Sequence, residues 1–292
     1  MASDHKTYKN AFDFRRALEA RLLNISHDTG TPLDRLRRGV AFDRLLARVF
    51  ATNQGDYPQW LLKGGYALEI RWQNIARTTK DIDFTMPYLR DPSPEKIQAM
   101  IQEEAGRDLH DWFVFRVGSY QMELDQPVYG GWRFPVEARV DNREFSKFHL
   151  DVGVGDALVS SPEWQTGGEV LSFANILPAR AALLPRDQQF AEKLHSLTFP
   201  RDKRAFSRVK DIVDLVLLIE HGLPDKETMR KAIKATFEQR KTHELPAVIP
   251  EIPQGIAETY REMAEECGVS KKSLAEAEVV LEGYWKELFC PR

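Results

Sequence analysis

The chain has 292 residues, of which 42% are apolar and 29% charged, and its formal net charge is -3. These are the proportions of an ordinary globular protein with room for one large core or two modest ones, and the acidic balance gives no general nucleic-acid signature. No run approaches the ~18 apolar residues of a membrane span, the polar start MASDHKTYKN lacks the order of a secretory signal, and the only cysteines, Cys267 and Cys290, stand far from any histidine pair. A cytoplasmic protein without membrane contact, disulfide framework or structural zinc is expected.

In chain order, two helical patterns come first, over about 10–27 and 32–52. Trp60 to Leu62 reads as a short strand, Gly64-Gly65 as a break, and Tyr66 to Trp72 as a short helix. A polar loop leads into a strand carrying Asp81-Ile82-Asp83-Phe84. A helix at about 94–107 opens on Ser93-Pro94-Glu95, a plausible cap. Strands are expected at Trp112 to Val117, Phe134 to Val140, Phe148 to Val154 and Glu169 to Phe173, with turns at Gly130-Gly131 and Asp141-Asn142. After Pro185 the pattern is helical, at about 188–198, 207–221, 225–240, 255–267 and 270–288. The expected fold is α+β: a mixed β-sheet core with its N-terminal helices over 1–180, then a helical C-terminal lobe over 181–292.

The chemistry gathers around Lys63-Gly64-Gly65 and Asp81-Ile82-Asp83. Two glycines ahead of a helix let backbone N–H groups approach an anion, although a Gly-Gly pair is more often a plain turn. On a strand, residues i and i+2 share a face, so Asp81 and Asp83 stand side by side while Ile82 points to the core. Adjacent carboxylates repel unless a cation lies between them, and hard oxygens with open positions suit Mg²⁺. Asp151, in the apolar strand His149-Leu150-Asp151-Val152, would complete a metal site if that strand pairs beside the first. Asp141 is the rival third ligand, but reads as part of a turn.

Further on, Val209 to Ile219 is apolar on nearly all sides, which predicts a buried helix. Asp211 and Asp214 share a face of it and need partners. Lys193, on another helix, is the natural one. The cluster Arg201, Lys203, Arg204, Arg208 and Lys210 is dense enough to suggest a polyanion surface, and RNA is the expected occupant. Thr78 and Thr79 precede the carboxylate strand, where an added phosphate would repel an incoming triphosphate; ordinary loop hydroxyls are the plainer reading.

The segments LKGGYAL at 62–68, RTTKDIDF at 77–84, FHLDVGVGD at 148–156, AEKLHSL at 191–197 and RVKDIVDL at 208–215 span about half the chain. Together they resemble the AbiEii/AbiGii toxin family of DNA polymerase β-like nucleotidyltransferases, which includes the MenT toxins. The spacing between Gly65 and Asp81 is longer than in most of the wider superfamily, though similar to AbiEii-like members. The resemblance implies a toxin that moves a nucleotide from a nucleoside triphosphate to RNA, with the tRNA 3′ end as acceptor and an antitoxin as partner; a monomer is expected. It implies Mg²⁺ or Mn²⁺ on Asp81, Asp83 and Asp151. Lys63, Gly64, Gly65, Arg77, Thr78 and Lys193 would hold the nucleotide, and Asp211 would be an essential acid beside Lys193. Two other readings stay open. Asp81-Ile82-Asp83-Phe84-Thr85 fits the opening of haloacid-dehalogenase-type phosphatases, which needs a long apolar strand running into the first Asp. A non-catalytic nucleotide- or RNA-binding protein is the third.

Overall fold

The structure of the protein is a computed structural model that describes residues 8–52, 55–72, 75–124, 128–200 and 208–290. The chain forms two compact units. The first comprises Met1–Leu62, Thr78–Gly155 and Trp164–Leu183, and the second Lys63–Arg77, Asp156–Glu163 and Leu184–Arg292. The last junction between them falls at Leu183/Leu184. The second unit also draws in two earlier segments.

The first unit is built on a mixed sheet of eight strands: β1 (Leu61–Lys63), β2 (Ile82–Met86), β3 (Phe113–Val117), β4 (Met122–Glu123), β5 (Gly131–Val140), β6 (Arg143–Val154), β7 (Glu163–Thr166) and β8 (Arg180–Leu183). Their order is β3-β5-β6-β2-β1-β8-β7, with β4 also paired to β5. The strand expected at 169–173 is absent; Ser172–Ala174 forms a single 3₁₀ turn there. Strands β4, β7 and β8 were not expected, being too short to show alternation.

Three helices flank this sheet: α1 (Ala11–Thr29), α2 (Leu33–Val49) and α4 (Pro94–Ala105). Asn10 caps α1 by accepting from the Asp13 amide at 2.8 Å, and Gly30 ends it in the left-handed region. Its stripe Phe14, Leu18, Leu22 is fully buried. Ser93 caps α4 as the sequence suggested, with Pro94 in the first turn. The antiparallel hairpin β5–β6 turns on Asp141 and Asn142, both at φ 54°, the positive-φ pair that a two-residue hairpin demands. Along β5, Trp132, Phe134, Val136, Ala138 and Val140 are buried, while Arg133, Pro135, Glu137 and Arg139 alternate with them on the more open face. Arg48 of α2 is wholly buried and bidentate to Asp111, at 2.6 and 2.8 Å, with Phe113 O accepting at 2.7 Å.

The second unit is helical: α3 (Gly64–Trp72), α5 (Arg186–Thr198), α6 (Val209–His221), α7 (Lys226–Arg240), α8 (Ala257–Glu266) and α9 (Leu274–Phe289). Gly64-Gly65 is the first turn of α3 rather than a break ahead of it. Helix α6 is central, with Ile212, Val213, Leu215, Val216, Leu217 and Leu218 fully buried against α5, α8 and α9. Among the described residues no helix is long and apolar enough to cross a membrane.

Candidate active site

Strands β2 and β6 pair in parallel, and the register sets Asp83 opposite Asp151. The condition on which the third carboxylate depended is thereby met, and Ile82 points into the core at 0% exposure. Asp141 lies in the turn at the far end of the hairpin, away from Asp83, and pairs with Arg143 at 2.5 Å.

Facing Asp151 on β5 is Arg133, which the sequence did not single out. Its Nε and Nη2 each donate to one Asp151 carboxylate oxygen at 2.7 Å, and Nη2 lies 3.6 Å from Asp81 Oδ2. Such a planar bidentate fork is the strong form of the Arg–carboxylate pair. Hydrogen bonding to Asp151 holds the guanidinium pKa above its ordinary range, against the opposing effect of partial burial. His149, two residues before Asp151, sets Nδ1 3.4 Å from Asp81 Oδ1. Thr79 is buried and its hydroxyl donates to Asp81 O at 3.1 Å, while Arg38 Nε donates to Thr79 O at 3.2 Å.

The donor set is carboxylate oxygen on adjacent strands, chemistry that suits Mg²⁺ or Mn²⁺. A cation already stands against two members of it, since the Arg133 guanidinium lies between Asp81 and Asp151. In this arrangement no three His, Cys, Asp or Glu side chains among the described residues gather as a ready metal site. The residues fit a divalent ion in kind, with Arg133 as its stand-in. Asp81 also precedes β2 instead of ending an apolar strand, which is the wrong place for the nucleophile of a haloacid-dehalogenase-type phosphatase.

Lys63, Arg77, Lys193, Asp211 and Arg208 fall into two networks of the helical unit. In one, Lys63 Nζ donates to Asp156 at 2.5 Å and to Glu192 at 3.0 Å, and Arg240 donates to Asp156 at 2.8 Å. Burial alone would raise the pKa of Asp156, but Lys63 and Arg240 outweigh it and hold the carboxyl well below the usual range. Lys63 is thus committed to internal partners. In the other, Lys193 Nζ donates to Asp214 at 2.6 Å and Asp211 at 3.2 Å. Arg77 Nε and Nη2 reach Asp214 at 3.0 Å, and Arg208 lies 3.4 Å from Asp211. Both acids of α6 therefore find partners, as their shared face required. A Cβ at Gly65 would stand 3.0 Å from the Arg77 guanidinium, so the second glycine leaves room for Arg77 to reach Asp214. Gly64 O accepts from Gln189 at 2.8 Å. Thr78 is half-buried, ahead of the strand. Of the basic cluster, Arg201, Lys203 and Arg204 lie outside the described residues; Lys210 is exposed on α6.

Superposition on one solved structure fits this architecture. MenT4, a nucleotidyltransferase toxin of Mycobacterium tuberculosis H37Rv, superposes with a TM-score of 0.58 at 16% identity, covering 94% of this chain and 89% of that one. A candidate nucleotidyltransferase from H. pylori gives a TM-score of 0.41 at 13% identity, covering 86% and 96%. No curated protein matches by sequence. The family described as nucleotidyl transferase AbiEii toxin, type IV toxin–antitoxin system, matches residues 44–285. This mixed α/β chain, with its strand carboxylates and helical unit, belongs to the AbiEii family of nucleotidyltransferase toxins.

Proposed function

We propose that the protein transfers a nucleotide from a nucleoside triphosphate to a hydroxyl of RNA, with the tRNA 3′ end as acceptor, and that Asp81, Asp83 and Asp151 are its reaction centre. The observation that carries this reading is the parallel register Asp83–Asp151, which joins the two-carboxylate motif to a third on the neighbouring strand. Mg²⁺ or Mn²⁺ held by these three would neutralise the triphosphate and lower the pKa of the attacking hydroxyl. Arg133 keeps Asp81 and Asp151 compensated in the resting protein, so the carboxylates do not repel one another, and His149 orients Asp81. The roles implied for Lys63, Arg77, Thr78 and Lys193 towards the nucleotide, and for Asp211 as an essential acid, belong to the same proposal. So do a cytoplasmic location, a monomeric state and an antitoxin that silences the activity.

The test incubates purified protein with total tRNA and each labelled triphosphate in Mg²⁺. Label enters RNA with the wild type and stays out with Asp83→Ala at matched folding. Equal labelling by both proteins would remove the carboxylates from the reaction.

A further inference from the structure

The open face of the β3–β5–β6 part of the sheet bears a groove of about 780 Å³ that has Asp81 in its wall. Arg38, Lys80, Arg116, Arg133 and Lys147 also line it. Against these five cations stand only two carboxylates, Asp81 and Glu137. The cations come from α2, the loop before β2, β3, β5 and β6, so tertiary structure assembles the groove and no single helix face explains it. Arg133 is committed to Asp151 and Arg38 partly to Thr79 O. Lys147 meets Glu144 at 2.5 Å, both of them well exposed, a pairing that contributes little. Lys80 and Arg116 are exposed and make no ion pair among the described residues.

We propose that this groove holds the phosphodiester backbone of the acceptor RNA strand and leads its end to Asp81. The proposal rests on the transferase reading and names the path of that reaction's acceptor. Lys147 stands four residues from Asp151 on β6, about 13 Å at roughly 3.3 Å per residue. Arg116 lies two strands across from β6, about 10 Å at a strand spacing of roughly 4.8 Å. Cations spread over that span suit successive phosphates of a chain better than one compact triphosphate. Phe148 in the wall is buried, which leaves His149 as the exposed ring beside these cations. Contacts of this kind position a strand and carry little sequence information.

The experiment measures binding of a fluorescent single-stranded RNA without metal or nucleotide, as a function of salt, for the wild type and for Arg116→Glu/Lys147→Glu. Both substitutions are on the exposed face, and matched thermal melting confirms the fold. The double variant loses at least tenfold in RNA affinity at low salt. The slope of log K against log salt falls by about 1.4, at roughly 0.7 per single-strand phosphate contact. Affinity within twofold of wild type and an unchanged slope would overturn the proposal. So would a loss confined to a fluorescent ATP analogue, which would give the groove to the triphosphate. A wild type that labels no RNA while the variant loses RNA binding would count against the transferase reading and leave the groove standing.

Discussion

Arg133 occupies the position where the chemistry of the site is most exposed to test. Its guanidinium neutralises Asp151 through two 2.7 Å bonds and reaches towards Asp81. A divalent ion at the same carboxylates has to share or displace that charge. Replacing Arg133 with Met removes the competing cation while keeping apolar bulk. Mn²⁺ titrated by electron paramagnetic resonance should bind the variant several-fold more tightly than the wild type. Weaker binding would mean that Arg133 orients Asp151 for the ion instead of competing with it. At this scale the sequence was half informative. Asp81, Asp83 and Asp151 declared themselves by alternation in apolar strands, whereas Arg133 did not. Counted back from the Asp141-Asn142 turn without interruption, Arg133 would oppose Leu150 and face the other side of the sheet. A register shift between Ala138 and Arg139 sets it opposite Asp151, and a one-residue slip of that kind changes which face a side chain occupies. Nothing in the local sequence announces the bulge.

Helix α6 shows the same division at the scale of an element. Its all-round apolar pattern predicted burial, and Asp211 with Asp214 predicted partners on one face. Lys193 was legible as one partner. Arg77 was not, because it reaches Asp214 from a segment far away in the chain. Asp214 is fully buried. Burial would push its pKa up, yet Lys193 and Arg77 prevail and lower it from 3.8. A carboxyl depressed in the folded state contributes stability that is complete above its unfolded pKa and disappears as pH falls through the folded value. The stability gap between wild type and Asp214→Asn, measured by urea unfolding, should therefore be constant from pH 8 to pH 5 and narrow only below about 3.8. Removing one charge from a buried ion network typically costs on the order of 3–5 kcal/mol, which sets the size of the gap. A gap that closes between pH 7 and pH 5 would show that Asp214 is not held ionised by these partners.

For the whole molecule, the linear order of motifs conceals how they are distributed. The three strand carboxylates belong to the first unit, while Lys63, Gly64, Gly65, Lys193 and Asp211 belong to the second. The helical unit takes two of its segments, Lys63–Arg77 and Asp156–Glu163, from within the sheet region of the sequence. The run of helical patterning begins after Pro185, and nothing in the patterning of Lys63–Arg77 or Asp156–Glu163 assigns those segments to it. Lys63 and Asp156 meet in a buried pair although 92 residues separate them in the sequence, which only tertiary structure reveals. On the proposed reading, the pairing of β2 with β6 makes Asp151, not the turn residue Asp141, part of the reaction centre. Single-turnover transfer of labelled nucleotide to tRNA by Asp151→Asn and Asp141→Asn, each at matched folding, tests it most directly. Asp141→Asn should transfer at close to the wild-type rate and Asp151→Asn slower by about a hundredfold or more, on the scale of losing one strong electrostatic contact in a transition state. Wild-type transfer by Asp151→Asn, or its loss in Asp141→Asn alone, would take Asp151 out of the reaction centre.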